Sequence, residues 1–302
     1  MNKQLKILLW VTMTIALACG FLHHLVPPAT INFERLHIFL FNLVSGGTML
    51  IHYTEGKPTL SLRGKLFYIL SILFALCAFL QLYLPTLVIP LFLAIIVEQV
   101  RISHFGQILP FALFSRQEGT SRKFHQASLL CLSLGLIIST IAILNSEFGH
   151  WFHLESLTLD TFFLGFSFPL SLISMSVIFA LMKAKSGAKI KLFKEFSFWS
   201  INLGVIIFFL FILAGWFLPQ VAIAITLFAT VALILFLYWQ EGIRLQQKAF
   251  LTSGILFLLI TSVSGIVYIL LAVGMLLYAI VMVTELFLIF RGRVGDLSLS
   301  TE

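Results

Sequence analysis

Long runs of apolar residues, separated by short polar stretches, recur along the whole 302-residue chain. A helix needs about 20 apolar residues to cross the hydrocarbon core of a bilayer. The runs predict ten such spans, at 6–26, 34–53, 65–84, 86–101, 126–145, 157–182, 197–217, 220–239, 249–267 and 270–290. The fourth is short and holds Pro90 and Glu98, and the last two divide one long run near Gly265. Tight hairpins are expected at Leu84-Pro85-Thr86 and at Leu218-Pro219-Gln220. On that side of the membrane only 27–33 and 146–156 form longer connections. On the other side the segment 108–114, Ile-Leu-Pro-Phe-Ala-Leu-Phe, is expected to lie along the headgroup boundary. The fold class expected is therefore an all-α membrane protein, one integral membrane domain over 1–302.

Charge then orients the spans. All nineteen Lys and Arg residues except Arg35 fall in every second gap between apolar runs. They precede the first run (Lys3, Lys6) and follow the second (Lys57, Arg63, Lys65). They recur after the fourth (Arg101, Arg116, Arg122, Lys123), the sixth (Lys183 to Lys194), the eighth (Arg244, Lys248) and the last (Arg291, Arg293). Basic residues resist translocation, so this alternation places both termini and the basic gaps on the cytoplasmic side of an inner membrane. The first run, though preceded by lysines as in a signal peptide, lacks a clean small-residue cleavage pattern and is read as a retained helix.

Composition agrees. The chain is 60% hydrophobic and only 10% charged, against about 25% charged in soluble domains. The net charge of +7 belongs to membrane-flanking gaps, which excludes nucleic acid as the partner it implies. Cys19, Cys77 and Cys131 lie inside apolar runs without CxxC spacing, so no disulfide or zinc framework is expected.

A weak internal repeat is visible. Lys65-Leu66-Phe67, Leu84-Pro85 and Glu98-Gln99-Val100-Arg101 correspond to Lys191-Leu192-Phe193, Leu218-Pro219 and Gln240-Glu241-Gly242-Ile243-Arg244. The period is four helices, so the copies, 1–101 and 124–244, keep one orientation, with 249–290 a truncated third.

Histidine is the residue type that carries the most chemistry. Imidazole is a good ligand for haem iron, copper and zinc. His23, His24, His37, His150 and His153 gather at the outer side, His52, His104 and His125 at the inner. His37 and His52 are 15 residues apart in one span, or about 22 Å along a helix axis. At about 100° per residue they are offset by roughly 60° and share a face. One helix with a histidine near each surface suits a two-haem membrane cytochrome, with His24 or His153 as outer partner and His125 or His104 as inner partner. The bland account is that histidines simply tolerate the headgroup region, and His104 and His125, among arginines in a loop, are expected to be solvated.

Acidic groups within the spans are few, and such groups usually face a bundle interior or an aqueous cavity. Glu98 lies one turn from Arg101 and is expected to pair with it. Asp160 begins a stripe with Ser167, Ser171 and Ser174, interrupted by Pro169, and Glu285 lies in the last span. Asp160, Ser167, Ser171 and Glu285 thus mark a candidate intramembrane polar site, although small polar residues also serve helix packing. No nucleophile–base pair has informative spacing, so no catalytic residue is assigned.

Glu34-Arg35-Leu36-His37, opening the second span after an outer loop, resembles the start of helix two in subunit I of haem-copper oxidases. His153-Leu154-Glu155-Ser156-Leu157 and Phe163-Leu164-Gly165-Phe166 resemble histidine-led helices of that superfamily and of NnrS-type haem membrane proteins. The resemblance implies arcs of four helices and haem b held by His37 with His153 as partner. Arg35, the one basic residue in an otherwise basic-poor gap, is expected either to pair with the adjacent Glu34 or to neutralise an anionic group such as a haem propionate. It does not extend to oxygen or nitric oxide reduction, because the late helix with two histidines and a three-histidine copper set are missing.

Three functions follow as expectations: a haem- or metal-binding electron-transfer or sensing protein with a redox partner, a ten-helix secondary transporter of the drug/metabolite type, or a non-catalytic subunit of a membrane complex. Cofactor-binding candidates are His37, His153, His24, His23 and Arg35 at the outer face and His52 at the inner.

Overall fold

A computed structural model describes residues 2–23, 25, 32–115, 117–151, 165–183, 187–242 and most of 251–271. Among these residues there are helices and no strand. Seven helices are long and apolar enough to cross a membrane: α1 (Lys3–Leu22), α2 (Phe33–Glu55), α3 (Leu62–Phe79), α4 (Tyr83–Phe105), α5 (Thr120–Gly149), α7 (Ala188–Ala214) and α8 (Phe217–Glu241). Two apolar helices are shorter, α6 (Gly165–Ala180) and α9 (Leu251–Ser264). The chain is a polytopic α-helical membrane protein. Its long helices expose large apolar side chains such as Trp10, Phe21, Leu62 and Trp239, an arrangement suited to lipid and costly in water.

Of the ten predicted spans, seven appear as long helices. The sixth and ninth are represented by α6 and α9, and the tenth, 270–290, falls almost wholly outside the described residues. The fourth span is longer than its apolar run, because the helix continues through the polar residues up to Phe105. Both expected hairpins shift towards the N-terminus. α3 ends at Phe79 and α4 begins at Tyr83; α7 ends at Ala214 and α8 begins at Phe217. Pro85 and Pro219 therefore occupy first turns of helices, where the missing N–H would be unpaired in any case. The second turn forms at Gly215, whose φ of 67° is one that glycine adopts without strain.

The chain divides into two compact units, Met1–Ala184 and Lys185–Glu302. The expected repeat boundary between 101 and 124 lies inside the first unit, where α4 and α5 pack along each other. In the second unit α7 and α8 form a hairpin joined by a hydrogen bond between the Ser200 and Thr230 hydroxyls, 2.7 Å.

α2 is the central helix of the first unit: 67% of its apolar window is buried, the largest share among the seven. Its middle, Phe39–Gly47, is a π-helix. Ser45 Oγ donates to the carbonyl of Leu40, five residues back, at 2.9 Å, which matches the wider turn. The following glycines admit close neighbours. A Cβ at Gly46 would lie 2.5 Å from Leu170 of α6, and one at Gly47 would lie 2.7 Å from Phe67 of α3. Phe39 continues this core edge-on against Phe74 and Phe166, at centroid distances of 4.8 and 5.7 Å.

Candidate functional site

Two rungs of contact join the ends of α1 and α2 that lie opposite the basic loops. On the first, the His37 ring packs against Gly20, where a Cβ would stand 3.0 Å from Nδ1. His37 Nδ1 lies 2.7 Å from the carbonyl oxygen of Ala16. A carbonyl only accepts, so Nδ1 is the donor, and in the neutral ring Nε2 keeps the lone pair. Phe41, one turn on, stacks on the ring at 6.0 Å. On the second rung His23 Nε2 lies 3.6 Å from Glu34 Oε2. His23 follows Gly20 by three residues and Glu34 precedes His37 by three, so the rungs are one turn apart.

Arg35, two residues before His37, is held within the fold. Its side chain is buried, and Nη1 donates to the carbonyl of Ala78 at 3.1 Å. The last carbonyls of a helix lack intrahelical donors. Arg35 thus closes the end of α3. Asn32 supports the same turn from the other direction, accepting from the Arg35 N–H at 2.9 Å.

His24 and His153 lie outside the described residues, as do Asp160 and Glu285. His52 is half-buried near the other end of α2. The constant 100° step that put it on the face of His37 does not hold across the nine-residue π segment, so that alignment is lost. The serines of the expected stripe differ in exposure. Ser167 and Ser174 are exposed and Ser171 is half-buried. Pro169 stands in the first turn of the α-helical part of α6 rather than interrupting it. The buried serine of this helix is Ser176, which donates to the Ser121 carbonyl at 2.8 Å.

Glu98 and Arg101 pair as expected, Arg101 Nε and Nη2 reaching Glu98 Oε2 at 2.8 and 2.6 Å. The wider network was not legible. Ser133 of α5 donates to the other Glu98 oxygen at 2.5 Å, and Arg101 Nη1 and Nη2 hold the carbonyls of Gln107 and Ile108. That clamp fixes the start of the 106–119 connection, which exposes Ile108, Leu109, Phe111 and Phe114.

His125 corrects the expectation of a solvated loop histidine. It lies in α5 and is 9% exposed, with Nε2 2.8 Å from Thr54 Oγ1. The rings of Tyr53, His104 and Phe105 surround it at 5.3, 5.2 and 5.4 Å. His104 itself is exposed. The only sequence signal for this cluster was a run of polar residues at the ends of three apolar spans.

The His37 site meets half of what haem requires. A ligating histidine normally donates its other ring N–H to a carbonyl or carboxylate, which fixes ring and tautomer. His37 does this through Ala16. A cavity of about 530 Å³ between α1 and α3 lies at the basic end, and no histidine, cysteine or methionine lines it. Among the described residues no three His, Cys, Asp or Glu side chains form a metal-binding group. Comparison with protein-family models, curated proteins and solved structures finds no match.

Proposed function

We propose that this protein is a multi-pass inner-membrane protein that binds haem b at the non-cytoplasmic end of α1 and α2, for electron transfer or sensing. The observation that carries the reading is the hydrogen bond from His37 Nδ1 to the Ala16 carbonyl, which leaves Nε2 oriented and available. Bound haem would supply a one-electron couple, tuned by its axial ligands and their hydrogen bonds. The protein's part is to hold the His37 ring between Gly20 and Phe41 and to keep its proton on Nδ1. His24 and His153 are the candidates for the second ligand. The alternation of basic gaps supports the orientation, with both termini cytoplasmic.

A carrier of the ten-helix type would need broken helices opening on a midplane cavity. α2 is widened there, and the buried Thr48 hydroxyl beside the π segment has no hydrogen-bond partner among the described residues. Leu170 and Phe67 nevertheless fill the space beside Gly46 and Gly47, which favours packing over passage.

The test is an optical spectrum of membranes from overexpressing cells, reduced minus oxidised. A Soret band and α-band that disappear in His37→Ala support the proposal. Haem-free protein from haem-sufficient cells, or a spectrum unchanged in His37→Ala, overturns it.

A further inference from the structure

A second cavity, of about 190 Å³, opens at the basic end of the first unit, where the end of α2, the α2–α3 turn, the start of α3 and the end of α4 meet. It is smaller than the roughly 300 Å³ at which drug-sized pockets begin, so it suits a compact group. Its lining is mostly polar: Thr54 and Glu55 from α2, Lys57 from the turn, Arg63 from α3, and Ser103 and His104 from α4. Arg63 Nη1 donates to Ser103 Oγ at 3.1 Å, which draws the guanidinium towards α4. Neither Arg63 nor Lys57 stands within ion-pair distance of a described carboxylate, Glu55 included. Two cations, the Ser103 hydroxyl and an imidazole thus converge on one small cavity that holds a single carboxylate. The back wall is firm, because Thr54 is buried and bonded to His125, whose ring touches His104.

We propose that this cavity binds a phosphate group at the cytoplasmic membrane surface. Phosphate offers several acceptor oxygens to guanidinium, ammonium and hydroxyl donors, and its charge-assisted bonds are stronger than neutral ones. Basic pockets between transmembrane helices on the cytoplasmic side take anionic lipid headgroups in this way. The phosphate comes either from such a headgroup or from a soluble phosphate, and the experiment separates the two.

The full chain is purified in detergent, stripped of lipid, and titrated with phosphatidylglycerol, cardiolipin or phosphatidylcholine in mixed micelles, and separately with inorganic phosphate. Thermal stability and retained lipid are read, the latter by native mass spectrometry. Stabilisation by phosphatidylglycerol and cardiolipin, but not by phosphatidylcholine or inorganic phosphate, identifies a lipid headgroup. Saturable stabilisation by inorganic phosphate identifies a soluble source. In either case Lys57→Gln/Arg63→Gln weakens binding by roughly tenfold or more, that is about 1.4 kcal/mol or more. Lys3→Gln/Lys6→Gln, which removes the same charge elsewhere at the basic end, leaves binding unchanged. Glu55→Gln strengthens binding, a gain that a misfolded variant cannot mimic. The proposal is overturned by no stabilisation from any phosphate source, or by equal weakening in the two double variants.

Discussion

His37 donates its Nδ1 proton to the Ala16 carbonyl across 2.7 Å, and this bond ties the second helix to the first. The contact is close because residue 20 is glycine, whose missing side chain admits the imidazole. Gly20→Leu should therefore push the ring away and lower haem occupancy, while the helical circular dichroism signal of the purified protein stays the same. His37→Ala should remove the haem spectrum altogether. Full haem occupancy in Gly20→Leu would show that the close approach has no bearing on ligation.

Topology is open to direct test. The amide of Asn2 bonds the carbonyl of Pro58, and Arg63 bonds Ser103, so the N-terminus, the 56–61 turn and the end of α4 share one membrane face. Reporter fusions truncated after Gly106 should report a cytoplasmic location, and fusions after Gln81 the opposite one. The reverse pattern would contradict the charge rule for this chain.

Arg101 is buried and bonds Glu98 and two loop carbonyls, while Ser133 donates to the other Glu98 oxygen. Removing one partner of a buried pair leaves the other charge poorly solvated. Arg101→Met should cost about 2–4 kcal/mol by denaturant titration in mixed micelles. It should also expose the 106–119 connection to protease. Glu98→Gln, which keeps one acceptor oxygen, should cost less.

Gly47 touches Phe67 so closely that even a methyl group needs the ring to move. Gly47→Ala should destabilise the first unit by about 1–3 kcal/mol through overpacking, despite the higher helix propensity of alanine. Pairing it with Phe67→Leu should recover part of the loss in the same titration.

Thr54 and His125 form one buried hydrogen bond between α2 and α5. Thr54→Val and His125→Phe should each cost about 1–3 kcal/mol, because each strands a polar partner. The double variant should cost less than the sum, as both polar groups are then gone. Strict additivity would show that the bond contributes nothing.

The amino-acid sequence by itself determined the membrane character, the positions of seven long helices and the Glu98–Arg101 pair. Each is a local property: apolar length is summed along one segment, and residues three apart on a helix are neighbours in any fold. It could not determine which helix lies at the centre, nor what each polar side chain meets on a neighbouring helix. The π segment of α2 shows the limit, since it lies where Leu170 and Phe67 pack against two glycines and it shifts the register between His37 and His52. Arg35 turned to the end of α3, His125 buried on Thr54 and Ser167 facing outward were likewise decided by tertiary packing. In lipid, apolar side chains suit either the bilayer or a neighbouring helix, so hydropathy cannot tell a lipid-facing position from a buried one; only close packing and paired hydrogen bonds between helices do.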